Sequence, residues 1–359
     1  MIDEKTKGEI RMKKTFCLLL VMFVLLGALP LAAHGATIVD SGKTPAGCDW
    51  TLTDDGTLTV DGNGTMGDSN DCSFLSESQC NQIKAIKINE GISEIGECAF
   101  YSCPSLKSVS LPSSLNKICH NAFYGCYSLK TVSIPHNVSY IGSGSFGECF
   151  SLTDITFPTS FFVIGHGALN GTAWYNNQPE GPVYAGKMLY NYKGKAPANT
   201  KISIKKGTLA VSDYALSGQE NIIELIIPDS VISIGKDAFT GTGWYEAQPE
   251  GLVYAGKVAY KYKGTMSSKT DLVLKKGTTG IAGNAFSGCS LLQSITIPDS
   301  VVSLGENAFY NCEMLKSIVL PDPIKEIQDA AFCGCSMLKS AKLPKQLKKI
   351  GNEAFRNCN

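Results

Sequence analysis

From residue 83 onward the apolar residues return in one arrangement. A leucine is followed by two apolar residues two positions apart, a proline, two further single apolar residues, and Ala-Phe or a close relative. The phenylalanine stands at Phe100, Phe123, Phe146, Phe239, Phe286, Phe309, Phe332 and Phe355, with leucine at Leu169 and Leu216. Successive spacings are 23, 23, 23, 47, 23, 47, 23, 23 and 23. Each 47 is 23 plus an insertion of 24, so the phase holds and the chain reads as ten units of L-x-x-V-x-I-P-x-x-V-x-x-I-G-x-x-A-F-x-x-C-x-x.

Each part of the unit has a physical reading. Val132 and Ile134 are two apart, the strand period, so both face inward while Thr131 and Ser133 face outward. Pro135 has no amide proton and ends the strand ladder. Gly142 suits a bend of positive φ, and Ala-Phe-x-x-Cys returns the chain with the phenylalanine filling the space between coils. One unit cannot bury its own apolar edge but stacked units can, which predicts a solenoid with a continuous parallel sheet along one side.

The units resemble the leucine-rich repeats of BspA-like (Treponema-type) bacterial surface proteins, with their proline after the strand and their Ala-Phe-x-x-Cys return. The lead-in from Trp50 to Val60, with Leu52, Asp55, Gly56 and Leu58, resembles the one that often precedes such repeats. The resemblance implies a repeat solenoid: a right-handed leucine-rich-repeat coil with its parallel β-sheet on the concave face, little helix and a small N-terminal β cap. It also implies a secreted or surface-displayed binding protein of adhesin-like type, with no catalytic residues to carry over. The expected division is a leader over 1–35, the cap over 36–82 and the solenoid over 83–359, with hairpin insertions at about 173–198 and 243–268.

The leader rests on Arg11, Lys13 and Lys14, the apolar run Phe16 to Leu26, and the small residues up to Gly35 and Ala36. This is the pattern of a secretory signal peptide, with Met12 as its natural start and cleavage near Gly35–Ala36. The run is shorter than the roughly 18 residues a membrane span needs, and no second one follows, so the mature chain is expected to have no span. In the cap, Trp50/Leu52 and Leu58/Val60 alternate with threonines around an Asp55-Gly56 turn signal. Gly62-x-Gly64-x-x-Gly67 matches a dinucleotide fingerprint, but no amphipathic helix follows to receive a phosphate. Asp61, Asn63 and Asp68 form a polar turn without the glycine and glutamate of a calcium loop.

Lys+Arg and Asp+Glu both number 32, which argues against a nucleic-acid partner. Of the 14 cysteines, Cys103, Cys126, Cys149, Cys289, Cys312, Cys335 and Cys358 share one column of the repeat. Stacked coils lie about 4.8 Å apart with side chains in parallel, while disulfide β-carbons approach to about 3.8 Å, so the column reads as buried thiols. Cys72 and Cys80 are a candidate cap disulfide, since export permits it. The histidines are too few and too scattered for a zinc site, and no cofactor is implied. His120 and His166 share a column two coils apart, which points to solvated side chains.

Two surfaces are candidates for an extracellular protein or glycan. The first is the outward side of the strands, taken as the concave face, with Ser110, Thr131, Ser133, Thr156, Ser294 and Thr296 among its residues. The second is the pair of insertions, where Trp174, Tyr175, Tyr184, Tyr190 and Tyr192 recur 70 residues on as Trp244, Tyr245, Tyr254, Tyr260 and Tyr262. Aromatics gathered in paired protrusions suit sugar stacking or a protein hot spot; their other role is to pack against the solenoid flank. Two further functions stand beside binding. One is a structural spacer that self-associates through the apolar coil at Cys358. The other is a secreted carbohydrate-active enzyme, which would need a carboxylate pair about 5–9.5 Å apart that the scattered acidic residues do not offer.

Overall fold

The computed structural model describes residues 35–68, 73–160 and 162–358. The leader therefore lies outside the described residues, except for Gly35, and so does the Cys72 half of the candidate disulfide. The described chain is a β-solenoid of about 12 turns with parallel sheets and little helix. It opens with an antiparallel meander, Ile38–Lys43, Asp49–Thr53 and Thr57–Asp61, which buries Trp50, Leu52, Leu58 and Val60. Thr57–Asp61 then pairs in parallel with Ala85–Ile88, so the cap forms the first edge of the solenoid's own sheet. A six-residue helix, Glu77–Gln82, lies between the cap strands and the first repeat strand, within the little helix expected. Ser76 caps it by accepting from the Gln79 amide, while the Gln79 side chain accepts from the Ser76 amide, so a capping box offsets its short length.

Two parallel ladders run along the solenoid rather than one. The outer ladder is made of the expected strands: Ala85–Ile88, Ser108–Ser110, Thr131–Ser133 and Asp154–Thr156 stack in register. Val132 is buried between exposed Thr131 and Ser133, as alternation requires. The second ladder consists of two-residue strands such as Lys117–Ile118, Tyr140–Ile141 and Val163–Ile164, each built on the Ile-Gly position of the repeat. A pair of residues gives little period-two signal, so the alternation that marks the outer strands does not mark these.

Between the ladders the phenylalanine rings stack coil on coil. Centroids of Phe100, Phe123 and Phe146 lie 5.3 and 5.4 Å apart, and those of Phe286, Phe309, Phe332 and Phe355 are spaced at 5.2 Å. In parallel, the amides of Phe100, Phe123, Phe146, Phe286, Phe309 and Phe332 each donate to a carbonyl one coil on, as from Phe123 to Ser145 at 2.8 Å and from Phe309 to Ala331 at 2.8 Å. The cysteine column supplies the matching donors. Cys126, Cys149, Cys312, Cys335 and Cys358 each direct Sγ to the carbonyl of the phenylalanine 26 residues earlier, at 3.1–3.3 Å. All seven column cysteines are free thiols. Burial pushes the Cys289 thiol up to about 11 and, as the leading cause, Cys335 up to about 12, so both stay protonated.

Gly142 has a different role from the one expected. It is not among the positive-φ residues, and a Cβ there would lie 2.5 Å from the His120 amide nitrogen and 2.7 Å from the Cys119 carbonyl carbon. The glycine therefore lets adjacent coils approach. The left-handed bend falls two residues later, directly before the Ala-Phe pair: Asn121, Gly144, Gly167, Asp237, Asn284, Asn307 and Ala330 all adopt φ between 50° and 69°.

The two insertions contain hairpins, but they are built into the coil. Gly181–Ala185 pairs antiparallel with Met188–Lys193, and Gly251–Ala255 with Val258–Lys263. Met188 and Leu189 then pair in parallel with Ala210 and Val211, giving the insertion a rung of the second ladder. The spacing there is 25 residues from Val163 to Met188 and 22 from Met188 to Ala210, so the regular 23-residue step is lost locally. On the outer ladder the insertions contribute no rung, and the sheet is interrupted between Asp154–Thr156 and Thr200–Ser203, and again between Ile222–Ile226 and Thr270–Val273.

A candidate binding groove

The insertions act as wedges. Their rungs are fully buried at Met188, Leu189, Val258 and Ala259. In front of those rungs the flanking coils touch directly: Ser212 donates to the Ile164 carbonyl at 2.7 Å, and the Gly283 amide donates to Ile234 at 3.0 Å. Gly280 is required there, because a Cβ would collide with the Ile232 carbonyl. The helix of each insertion (Ala173–Asn176 or Gly243–Glu246) docks on the outer-ladder side, where the Trp174 amide donates to the Leu152 carbonyl at 2.7 Å and the Gly243 amide to the Glu220 carbonyl at 3.1 Å. Coils pinched together on one face and forced apart on the other bend the solenoid toward the pinched face, which carries the second ladder.

The bend produces a groove of about 1230 Å³ whose lining runs from Asn116 to Lys349 and comes from the second ladder and the turns beside it. None of the serines and threonines predicted to face a ligand lines it. Ser110, Thr131, Ser133, Thr156 and Thr296 are exposed on the outer ladder, and Ser294 there is half-buried and bonded to Asp271. The expected concave position of that sheet is thus corrected.

The groove brings together side chains far apart in the sequence. Tyr140 lies within electrostatic reach of Asp213, Glu306 and Asp329; burial first, then these carboxylates, push its hydroxyl above the usual tyrosine range. Its hydroxyl lies 3.3 Å from Nε2 of His120, whose Nδ1 accepts from the Ser143 amide at 3.0 Å. His120 is therefore half-buried and bonded, whereas His166 is exposed as expected. Asp213 is raised by burial, and its Oδ1 accepts from the Lys236 amide at 2.8 Å. Lys236 in turn pairs with Glu306 at 3.3 Å across the pinched contact. At one end Glu94 binds Lys117 at 3.1 Å and accepts from Cys119 at 3.0 Å; burial would raise the carboxyl, but these two donors bring it below the ordinary range.

The insertion aromatics are clamps. Tyr190 and Tyr260 are 2% and 0% exposed, and their hydroxyls accept from the Leu169 and Phe239 amides at 2.9 and 2.8 Å. Each replaces the carbonyl that the next regular coil supplies elsewhere. Tyr245 is also buried, edge-on to Tyr260 at 5.7 Å. These three are corrected from partner-binding residues to residues that hold the wedge. Trp174, Tyr175, Tyr184, Tyr192, Trp244, Tyr254 and Tyr262 are half-buried. Trp174 packs edge-on to Phe157 and Trp244 to Phe239, while Tyr184 and Tyr254 accept from the Lys205 and Lys275 amides. The helices of both insertions end on a lysine: Lys193 donates to the Asn176 and Gln178 carbonyls, Lys263 to those of Tyr245, Glu246 and Gln248.

In the last described coil Ile350 is 50% exposed, against 1% for Ile327 one coil earlier. Among the described residues no helix is long and apolar enough to cross a membrane.

A curved stack of 23-residue coils with two ladders, a phenylalanine spine and a thiol column is a leucine-rich-repeat solenoid. The chain belongs to the BspA-type leucine-rich repeat family: the model of that repeat region matches in six copies, over residues 73–176, 191–249 and 256–359. Similar solved structures include a leucine-rich cell surface protein of Faecalibacterium prausnitzii (23% identity, 89% of this chain and 86% of that one, TM-score 0.30). Others are a leucine-rich repeat protein of Bacteroides ovatus (23%, 90% and 92%, 0.29) and the leucine-rich repeat protein of T. pallidum (18%, 89% and 86%, 0.24). No curated protein matches the chain.

Proposed function

We propose that the chain is a secreted or surface-displayed binding protein that holds an extracellular macromolecule in its groove and performs no chemistry on it. The observation that carries this reading is the groove itself. Two wedge coils curve the stack until side chains from opposite ends of the sequence line one concavity. Maintaining that curvature requires buried tyrosine hydroxyls and close glycine contacts, structure that a straight spacer would not need. The leader pattern between Arg11 and Gly35 supports display outside the cell. The test is a binding screen of the mature protein against immobilised extracellular proteins and glycans, repeated with a bulky plug in the groove (Ser303→Trp) and with the same change on the outer ladder (Thr131→Trp). Loss of binding with the plug alone is expected. Loss with the outer change alone would move the site to the strand face.

A further inference from the structure

We infer that the groove takes an extended polypeptide segment carrying both basic and acidic side chains, in preference to a glycan or a polyanion. This rests on the reading above that the groove is the ligand site. Its volume of about 1230 Å³ exceeds the ~300–1000 Å³ of clefts that enclose small molecules, and its lining spans coils from Asn116 to Lys349. Such a trough suits a chain-like ligand.

The lining chemistry selects among chain-like ligands. Tyr140 is the one aromatic residue that lines the groove, and its hydroxyl is turned to His120. Sugar recognition by ring stacking has little to work with there. Five lysines and five carboxylates line the groove, so it carries no net charge. A polyanion brought along it would meet five carboxylates, and a polycation five lysines, each like-charge approach carrying an unfavourable term.

The two signs are interleaved along the groove: Lys236 pairs with Glu306 at 3.3 Å, Lys117 lies over the Tyr140 ring, and Glu326 stands opposite Lys349 in the second ladder. Lys325, Lys348 and Lys349 are exposed at one end, and none of their ammonium groups is in an ion pair among the described residues. Asp213, Glu306 and Asp329 converge near Tyr140. A ligand that offers a carboxylate to these exposed lysines and a cation to the lining carboxylates matches such an interleaved surface. Ser139, Ser143, Ser233 and Ser303 also line the groove, where their hydroxyls can bond a main chain. A polypeptide of mixed charge has this combination of groups.

The experiment presents the mature protein with arrays of short synthetic peptides (mixed Lys/Glu, all-Lys, all-Glu and uncharged) beside neutral and sulfated glycans. Mixed-charge peptides should bind best. The double variant Lys348→Glu, Lys349→Glu should weaken them by about tenfold or more and shift selection toward basic peptides. Asp213→Asn, which keeps the acceptor for the Lys236 amide, should weaken them while leaving the thermal midpoint unchanged. Binding of sulfated or neutral glycans, lost in the double variant and without peptide binding, would preserve the groove as a site and overturn the ligand class. Mixed-charge peptides that bind both variants as well as the unaltered protein would show that they bind elsewhere, and no peptide binding at all would refute the inference outright.

Discussion

Tyr260→Phe removes one atom from the second wedge and tests whether the insertion is stitched into the solenoid by its tyrosine. The Phe239 amide donates to the Tyr260 hydroxyl at 2.8 Å, and the tyrosine is wholly buried. Phenylalanine fills the same ring volume but leaves the Phe239 amide without an acceptor in the core. A buried donor deprived of its partner costs about 1–3 kcal/mol. Tyr190→Phe does the same to the Leu169 amide, bonded at 2.9 Å. The sites sit in separate insertions with no shared partner, so the double variant should lose about 2–6 kcal/mol if the costs add. Solenoids unfold in segments as well as globally, so a single midpoint understates a local loss. The assay therefore pairs urea unfolding with hydrogen exchange at the Phe239 amide, whose protection should fall about tenfold to a hundredfold. Tyr310→Phe, at a 37%-exposed tyrosine, is the control and should change neither reading. If Tyr260→Phe leaves both the urea midpoint and Phe239 exchange at their original values, the hydroxyl is not the acceptor that closes the coil and the wedge account is wrong.

Deleting residues 243–266 restores the regular step between Phe239 and Phe286; the solenoid should straighten, and small-angle scattering should report a larger radius of gyration, whereas an unchanged or smaller radius would refute the wedge. In the cysteine column, Cys312→Ser keeps a donor to the Phe286 carbonyl and Cys312→Val removes it. The valine variant should unfold at lower urea by about 1 kcal/mol relative to serine, unless burying the stronger hydroxyl reverses the order, which would count against a donor role. Alkaline stability follows from the same thiols: Cys289 and Cys335, raised by burial to about 11 and about 12 from an ordinary 9.0, bind protons that the unfolded chain has released. Their contribution is complete below pH 9 and is lost as pH rises toward 12, to be followed by unfolding midpoints against pH, where a flat profile would contradict it. Gly142→Ala forces a Cβ to 2.5 Å from the His120 amide nitrogen and should cost about 1–3 kcal/mol in denaturant unfolding. Ala330→Asn should raise the thermal midpoint, because Ala330 holds φ 50° where Asn121, Asn284 and Asn307 occupy the same bend.

Much of the fold was legible in the residues. Val132 and Ile134 flanking Ser133 mark an inward-facing strand because alternation depends only on the residues themselves, and the recurring Phe-x-x-Cys marks a stacked spine because every coil repeats it. The seven-cysteine column was readable as thiols from the coil spacing alone. The second ladder escaped notice because Tyr140–Ile141 and its counterparts are two residues long, too short for a period to show. The role of Gly142 was misread for a related reason: a glycine required by a close neighbour and one required by a positive φ look the same in sequence.

The sequence by itself determined the repeat, the residues that face inward, the spine and the aromatic content of the two insertions, since these are properties of one coil and its copy. Only the tertiary structure decided which face is concave, that Tyr190 and Tyr260 are buried acceptors, and that Lys117 and Asp329 come within electrostatic reach of each other. Curvature is the accumulated difference in coil thickness between two faces. That difference is set by how an insertion packs against coils on both sides of it, a relation between distant segments that no local pattern of residues contains.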